Sequence, residues 1–344
     1  MQSHLQRGRR MAAAASLLPL AVTACQLSDG SPLGPTTTNS ETATASVSLV
    51  RLSTTAGRMT YGRNQYVSAY TGALPIIFLV PHGGTLTPAE IPDRLPAGTI
   101  LPEGRIARET DSGTNELATT LSNRLYDSTG ARPYVVRMLL KRSKIDVNRD
   151  SVKEMRLVND SRDAEALRAW SEYHTLADQA EADCRAKFGR CFVIDIHGHS
   201  HPVQQLELGY LLPATSYDRS DAQMDADWTL RERSSLATWS STATSSLARV
   251  LRGSKSFGTF MEAAGIPATP SVTRPRPDRT YYYNGGYSVR RHMCWDRGPH
   301  CGLQIEHDGA VRNNSVKRAR YTRAFPGVLR RYVAQFGIRL PLKG

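Results

Sequence analysis

The sequence lacks the patterns of several common protein classes. No segment beyond residue 25 is apolar for long enough to span a membrane. No internal repeat is present, so a repeat architecture is excluded. No basic stretch alternates with aromatic residues in a recognisable nucleic-acid-binding module. These absences leave a globular domain for which we expect no nucleic-acid partner.

Acidic residues are too few to balance the basic ones. The chain carries 44 Lys and Arg against 31 Asp and Glu, which gives a net charge of +13. Residues 1–24 hold three of the arginines, so the rest of the chain keeps +10. An acidic substrate or an anionic envelope surface would account for this excess, and so would a basic surface without a partner.

Cysteine is also scarce, with five residues in 344. Cys184 and Cys191 enclose six residues, as do Cys294 and Cys301, so two local disulfides are the simplest of the three pairings. No C-x-x-C spacing occurs, which argues against a cysteine-bound metal. Disulfides are typical of exported proteins.

The first 48 residues predict export and anchoring. Residues 1–24 combine a basic start with an apolar core too short to span a membrane, which is typical of a signal peptide. Their end resembles a lipobox, in which Cys25 receives the lipid, although an ordinary signal peptide with an incidental Cys25 is the alternative. Residues 25–48, rich in Ser, Thr, Gly and Pro, predict a flexible tether. We therefore expect a folded domain over 49–344 that reaches the membrane only through its lipid.

Apolar runs and helical periodicities alternate along that domain. Short β-branched runs predict strands at 74–81, 134–140, 192–197, 204–212, 255–261 and 302–307. Helical spacing predicts helices from about 111 to Gly130 and at 163–188, 229–251 and 316–336. Such alternation predicts a single α/β domain with a mostly parallel central sheet flanked by helices.

Two of the predicted strands stop at a histidine followed by glycine. One run ends in Val80-Pro81-His82-Gly83-Gly84, and a later one ends in Asp195-Ile196-His197-Gly198. Ligands of open α/β sheets collect outside the carboxyl ends of the strands. We therefore expect His82 and His197 to share one metal site.

A catalytic zinc takes about three protein ligands and keeps one open position. From the residues alone, Asp111, Glu116 and Glu90 compete for the third place. Asp111 stands at a predicted helix start, where it would equally serve as an N-cap only. Asp195 lies two residues before His197 and is placed to orient a ligand.

Further polar residues extend the candidate site. His199 and His201 follow a glycine that interrupts the strand, so pocket-wall or structural roles are expected for them. Arg142, Asn148 and Arg149 would bind an anion, since arginine grips a carboxylate with a two-pronged fork, although a solvated basic loop is the alternative.

Glu306 ends the last predicted strand. A carboxylate in that position can take a proton from the attacking water and pass it to a leaving amine. A solvated glutamate at a strand end is the alternative.

Together these motifs resemble the N-formylglutamate amidohydrolase family, a branch of the zinc carboxypeptidase-like superfamily. They keep the family's order over about 75–325, most of the folded domain. As they stand here they are Val80-Pro81-His82-Gly83-Gly84, Thr110-Asp111 with Leu117, Ile145-Asp146-Val147-Asn148-Arg149, Tyr173-His174, Asp195-Ile196-His197, Gly285-Gly286-Tyr287 and Leu303-Gln304-Ile305-Glu306.

The resemblance implies a zinc-dependent hydrolase of amide bonds. It implies that His82 and His197 bind Zn²⁺ and that Glu306 is the general base. It also implies that Asn148 and Arg149 hold a carboxylate of the substrate.

Two more roles follow from the resemblance. Arg142 is expected on the scissile carbonyl, and Asp111 is expected as the third zinc ligand. Thr85 stands where zinc carboxypeptidases have the glutamate of a His-x-x-Glu motif, and the amidohydrolase branch similarly lacks it. Tyr287 is expected in the substrate pocket with the cluster Tyr281-Tyr282-Tyr283, although these rings would equally pack the 264–300 loop.

The expected function is hydrolysis of an amide in an acyl amino acid or peptide that bears a carboxylate, in the bacterial cell envelope. The alternative is a lipid-anchored binding protein that keeps the fold without catalysis. A binding protein has no need of Glu306 beside two histidines, so the residues favour the enzyme.

Overall fold

The computed structural model describes residues 50–101, 104–150, 163–240, 246–293 and 300–343. These belong to one compact unit, Ser48–Gly344. The predicted signal peptide, the predicted lipidation site Cys25 and the predicted tether lie outside the described residues, so these remain predictions. None of the described helices is both long and apolar enough to cross a membrane.

One mixed sheet of eight strands organises the domain, and a separate two-stranded pair, β4 with β5, lies outside it. Numbered along the chain, the strands are β1 Met59–Tyr61, β2 Val67–Tyr70, β3 Ile76–Val80, β4 Ile100–Leu101, β5 Gly104–Arg105, β6 Tyr134–Met138, β7 Phe192–Gly198, β8 Leu206–Gly209, β9 Ala268–Thr269 and β10 Cys301–His307.

The spatial order of the large sheet is β1-β2-β6-β3-β7-β10-β8-β9. The four central strands, β6, β3, β7 and β10, are parallel neighbours. β2 and β8 pair antiparallel with the outermost central strands. The predicted α/β fold with a mostly parallel sheet is therefore confirmed, and the antiparallel pairs are confined to its two sides.

Helices cover both faces of this sheet. The described α-helices are α1 Thr114–Thr129, α2 Ala164–Phe188, α3 Asp221–Ala226, α4 Trp228–Arg233, α5 Ala237–Ser240, α6 Leu247–Leu251, α7 Phe257–Ala263, α8 Tyr287–His292, α9 Gly309–Asn313 and α10 Ser315–Ala334. Short 3₁₀ turns occupy Arg63–Gln65 and Ala214–Asp218.

Two predicted elements are wrong. The expected helix at 229–251 is instead α4, α5 and α6, and a new N-cap at Ser246 starts the last of them. The expected strand at 255–261 is helix α7, because the Ser256 side chain accepts the Thr259 N–H and caps it. Its apolar residues, which follow helical spacing, are buried in the core.

Alternate residues of the central strands supply two apolar cores. Phe78 and Ile194 pack with residues of α1 and α10 on one face. Leu79 and Val193 pack with residues of α2 on the other face. Because side chains alternate across a strand, α2 and α10 lie on opposite faces of the sheet.

A disulfide joins the end of α2 to the start of β7. Cys184 and Cys191 are bonded, as their spacing predicts. Cys301 is also disulfide-bonded, and its predicted partner Cys294 lies outside the described residues.

Strand register places the candidate site. His197 of β7 is opposite Glu306 of β10, and Glu306 is opposite Glu207 of β8. The central strands are parallel, so His82, which follows β3 closely, comes to the same edge of the sheet.

Candidate active site

His82 and His197 meet at the carboxyl edge of the sheet, as their strand ends predict. Their ring centroids lie 4.8 Å apart and the rings stand at 78° to each other. Both side chains are almost fully buried. Each therefore has few partners besides the polar groups built around it.

Asp111 is the acid that joins the two histidines. Its Oδ2 lies 3.5 Å from Nδ1 of His82 and 3.2 Å from Nδ1 of His197. The Gly198 N–H donates to the same oxygen at 3.0 Å. The helix that follows is capped by Gly113 and not by Asp111, so the carboxylate is free to face the rings. The Asp111 N–H also donates to the His82 carbonyl, which holds these two residues together.

The other two candidates for the third position are elsewhere. Glu116 is exposed on α1, and Glu90 is bonded to the Tyr66 hydroxyl. His82, Asp111 and His197 form one of the groups of potential metal ligands among the described residues.

Two further carboxylates hold the two rings on the side away from Asp111. Nε2 of His82 lies 2.7 Å from Oδ1 of Asp146, and Nε2 of His197 lies 3.0 Å from Oδ2 of Asp195. A carboxylate accepts, so each Nε2 donates its proton, and each Nδ1 is the nitrogen whose lone pair would bind a metal beside Asp111. Metal-binding histidines are held by carboxylates in this way.

Asp146 itself is held by two neighbouring hydrogen-bond donors. Arg142 Nε donates to its Oδ2 at 2.9 Å, and the Asn148 N–H donates to its Oδ1 at 3.0 Å. Burial raises the pKa of Asp146, but Arg142 and His82 outweigh burial and hold that pKa well below its ordinary value. Asp146 thus stays an acceptor for His82.

Nδ1 of His82, Nδ1 of His197 and Oδ2 of Asp111 are suitably placed to bind one metal ion. Nδ1 of His82 is buried and has no hydrogen-bond partner in the described structure. Tetrahedral Zn²⁺ bonds of about 2.0–2.2 Å place neighbouring ligand atoms about 3.3–3.5 Å apart. The separations of Asp111 from the two histidine nitrogens, 3.5 and 3.2 Å, match that spacing. Two imidazoles and one carboxylate are a donor set that zinc accepts.

The charges of Asp111, His82 and His197 affect one another. Burial raises the pKa of Asp111, but the neighbouring His197 and His82 hold that pKa far below its ordinary value. Burial lowers the pKa of His197, but Asp195 and Asp111 hold that pKa well above its ordinary value. In the absence of a metal, a proton on His197 therefore balances the negative charge of the neighbouring carboxylates.

Glu306 stands beside the histidines with one oxygen uncommitted. Gln304 Nε2 donates to its Oε1 at 3.0 Å, and that oxygen lies 4.0 Å from Nδ1 of His197. Oε2 is buried and has no partner in the described structure. Burial raises the pKa of Glu306 to about 8, with Asp111, Glu207 and Asp195 adding to the rise and His197 opposing it. A carboxyl near neutrality suits proton transfer.

A cavity of about 570 Å³ opens onto these groups. The three predicted anion-binding residues, Arg142, Asn148 and Arg149, line it together with His82, Asp111, His197 and Glu306. The Asn148 carbonyl oxygen Oδ1 accepts the Ser288 N–H at 2.8 Å, and Gly286 lies so close to this amide that a Cβ there would come within 2.4 Å.

Tyr287 lies apart from the cavity-lining residues. Its ring packs against Trp170 and His174 at centroid distances of 6.1 and 5.5 Å. Tyr282 and Tyr283 do line the cavity. A substrate role for Tyr287 therefore remains a prediction, without a direct contact to the cavity to support it.

His199, His201 and Glu207 form a second group, in which hydrogen bonds already engage the atoms that could bind a metal. His199 Nε2 donates to the Gln205 carbonyl at 2.8 Å, and its Nδ1 accepts the His201 N–H at 3.1 Å. His201 Nδ1 lies 2.7 Å from Glu207 Oε1, a hydrogen-bond distance and shorter than adjacent zinc ligands keep. The structural role expected for these two histidines fits this arrangement.

Sequence reasoning assigned no role to three residues of this site. Asp146, Gln304 and Arg312 contact the site from sequence positions that only the fold connects. The guanidinium of Arg312 donates to the carbonyls of Ser112, His199 and His307, at 2.7–3.0 Å, and so ties three segments around the site. Strand alternation links Gln304 to Glu306 and was the available signal for that residue.

The model of the N-formylglutamate amidohydrolase family matches residues 74–310, more than half of the chain. The chain belongs to this family. The predicted resemblance is thereby confirmed, and the protein is an amidohydrolase. No curated protein matches the sequence.

The solved structures that are similar to this amidohydrolase are distant in sequence. N-formylglutamate amidohydrolase from Ralstonia eutropha JMP134 is 14% identical, with 77% of this chain and 94% of that chain covered and a TM-score of 0.43. A gene product of Agrobacterium tumefaciens is 15% identical, with 79% and 94% covered and a TM-score of 0.43. The N-acetylmuramyl-L-alanine amidase of Mycobacterium abscessus is 13% identical, with 75% and 98% covered and a TM-score of 0.32. The family assignment rests on the sequence match and not on these weak structural similarities.

Proposed function

We propose that this amidohydrolase is zinc-dependent and cleaves an amide bond in an acyl amino acid or peptide that bears a carboxylate. The observation that carries the proposal is the pair of histidines. Each ring is held by a carboxylate at Nε2 and turns Nδ1 toward Asp111, beside the uncommitted oxygen of Glu306.

His82, Asp111 and His197 would hold the ion. Bound zinc polarises a carbonyl and makes water more acidic. Asp146 and Asp195 keep both rings in the tautomer that a metal requires.

Glu306 moves the proton. In its ionised form it accepts the proton of the attacking water through Oε2, and it later delivers that proton to the departing nitrogen. Gln304 holds the other oxygen, so Oε2 is the free atom for this transfer. Burial keeps bulk water away from the carboxyl.

Arg142, Asn148 and Arg149 provide the recognition site for the substrate's negative charge. All three line the cavity that contains Glu306. Arg142 is bound to Asp146 through Nε. This bond fixes the position of the guanidinium, which can then stabilise the charge that develops on the scissile carbonyl.

The proposal places this reaction in the bacterial cell envelope. The sequence of residues 1–48, with Cys25 as the lipid acceptor, supports an exported and lipid-anchored protein. A disulfide between Cys184 and Cys191 suits an oxidising compartment.

Metal analysis of the purified protein, combined with hydrolysis assays on N-formyl and N-acyl amino acids, tests this function. We expect about one zinc per chain in the wild type. Glu306→Gln should keep that zinc and lose about 10²–10⁴-fold in kcat, because the amide cannot accept the proton.

His82→Ala and His197→Ala are the controls that should lose both metal and turnover. Full turnover in Glu306→Gln would overturn the proposed base. A wild-type protein that contains no metal and cleaves nothing, yet binds these carboxylates, would establish the binding protein instead.

A further inference from the structure

Charge is divided unequally between the two long helices α2 and α10. Helix α10 contains six basic residues and no acidic ones. Helix α2, on the opposite face, contains three basic and five acidic residues. The basic residues of α10 are Lys317, Arg318, Arg320, Arg323, Arg330 and Arg331.

The basic side chains of α10 form an exposed stripe. Lys317, Arg320, Arg323 and Arg331 are exposed, and their spacing keeps them on one side of the helix. At 1.5 Å per residue the stripe runs about 21 Å along the surface. The three large aromatic rings of α10, Tyr321, Phe325 and Tyr332, are buried instead. We call Lys317, Arg320, Arg323 and Arg331 the α10 stripe.

Carboxylates do not neutralise this helix. In the described ranges, none of its six basic residues forms an ion pair with an acidic side chain, whereas Arg168 and Lys187 of α2 pair within their own helix. Arg320 donates to the Ala264 carbonyl at 3.2 Å, and Arg331 lies over the Phe260 ring at 4.2 Å. Neither contact offsets the positive charge.

We propose that the α10 stripe docks the domain on a bilayer of anionic phospholipid. A row of exposed cations without acidic partners along one helix is complementary to a surface of phosphate headgroups. Val316, which is 74% exposed, adds an apolar side chain next to the stripe. The stripe itself has no aromatic side chain on which bases could stack, so single-stranded nucleic acid is a poorer match.

Two other features of the chain favour a membrane. A lipid on Cys25, proposed above, would hold the domain within reach of a bilayer, and basic residues near the surface would then orient it. The helix starts two residues after Asn313, which lines the active-site cavity. A docked α10 therefore keeps one rim of the cavity beside the bilayer.

Vesicle binding of the full chain carrying Cys25→Ser tests the proposal without any assay of activity. The probes are phosphatidylcholine vesicles with and without about 30% phosphatidylglycerol, in low and high salt. The apolar N-terminal segment affects both vesicle types, so the measured quantity is the ratio of the two partition coefficients. We expect binding that prefers the anionic vesicles and weakens in high salt.

The decisive variant replaces the α10 stripe by glutamine at all four positions. We expect the anionic preference to fall by about 600-fold, since each of the four cations near such a surface contributes about fivefold. The matched control replaces Arg51, Arg58, Arg233 and Arg290 by glutamine. These residues are also exposed, and the change in net charge is the same. It should stay close to the parent protein.

Three outcomes would overturn the proposal. Equal losses in both variants would mean that net charge alone acts. No preference for anionic vesicles in the parent protein would exclude the docking. Tighter binding to DNA than to the vesicles, lost in the same variant, would assign the stripe to nucleic acid. If the fourfold variant melts early, Lys317→Gln/Arg320→Gln and Arg323→Gln/Arg331→Gln should each show part of the loss.

Discussion

Two groups of histidine and carboxylate lie near one edge of the sheet and differ in how their lone pairs are used. In the group of His82, Asp111 and His197, each Nδ1 faces a carboxylate at 3.2–3.5 Å. In the group of His199, His201 and Glu207, the lone pair of His199 accepts a backbone N–H and His201 binds Glu207 directly. The first group leaves room for an ion among its atoms, whereas hydrogen bonds close the second. Residue types alone therefore do not distinguish a metal site from a structural cluster.

Removing a histidine from each group gives the largest expected contrast. His82→Ala should abolish bound zinc, because only Asp111 and His197 would remain as ligands. His201→Ala is the matched control and should keep the wild-type content. Elemental analysis after dialysis measures both. Metal retained in His82→Ala and lost in His201→Ala would reverse the comparison.

The carboxylates behind the rings give the next contrast. Asp146→Asn should weaken zinc affinity by about 10–100-fold, because Nε2 of His82 loses its charged acceptor. Glu207→Gln should leave the affinity unchanged. Competition with a chelator of known affinity reports both values. Equal affinities in all three proteins would show that Asp146 does not tune the site.

The group of His199, His201 and Glu207 should contribute to the stability of the fold instead. Glu207 accepts from His201 Nδ1 at 2.7 Å and from the Tyr283 N–H at 3.1 Å. Glu207→Gln should lower the free energy of unfolding by about 1–3 kcal/mol, because buried partners lose a charged acceptor. Glu116→Gln, on an exposed turn of α1, should change it by less than about 0.5 kcal/mol. Urea unfolding of the metal-free proteins measures both, and similar values for the two would contradict the assignment.

The pH dependence of the metal-free protein is the finest test. The pKa of Glu306 rises from 4.5 to about 8 on folding, so the folded state binds the extra proton between these values. Its contribution to stability is complete below about pH 4.5 and is lost as the pH rises toward about 8. His197, whose pKa is also raised, adds a slope of the same sign above about pH 6.5.

Glu306→Gln should therefore flatten the fall in unfolding free energy between about pH 5 and pH 8, with the His197 part remaining. Glu116→Gln should keep the wild-type curve. Thermal or urea unfolding at four pH values across this range gives the comparison. Parallel curves for Glu306→Gln and the wild type would mean that Glu306 is not protonated in the folded state.

Much of the architecture could be predicted from local sequence. The runs at β3, β7 and β10 are apolar enough to identify central strands, and the periodicity of α2 and α10 identifies long helices. The segment 229–263 could not be predicted in this way. Its serines at 246 and 256 cap new helices, whereas the apolar spacing there also fits one long helix and a strand.

For the site, sequence order reveals which residues stand at strand ends. His82, His197 and Glu306 are identifiable there because a strand's direction decides which edge its last residue reaches. The pairing of His82 with Asp146 spans 64 residues, and no local spacing encodes it. The choice of Asp111 over Glu116 likewise needs the fold, since both lie near the same helix start and only one faces the rings.

The sequence by itself determined the α/β fold, the family and the strand-end residues, because these depend on local periodicity and on ordered motifs. Only the tertiary structure decided which histidine nitrogens are committed and which are free. That distinction depends on where backbone groups and distant carboxylates come to rest, as with Gln205 and the His201 N–H for His199 and with Asp146 for His82. Hydrogen bonding is directional and short-ranged, so neighbouring histidines in one stretch acquire different chemistry once the chain is folded.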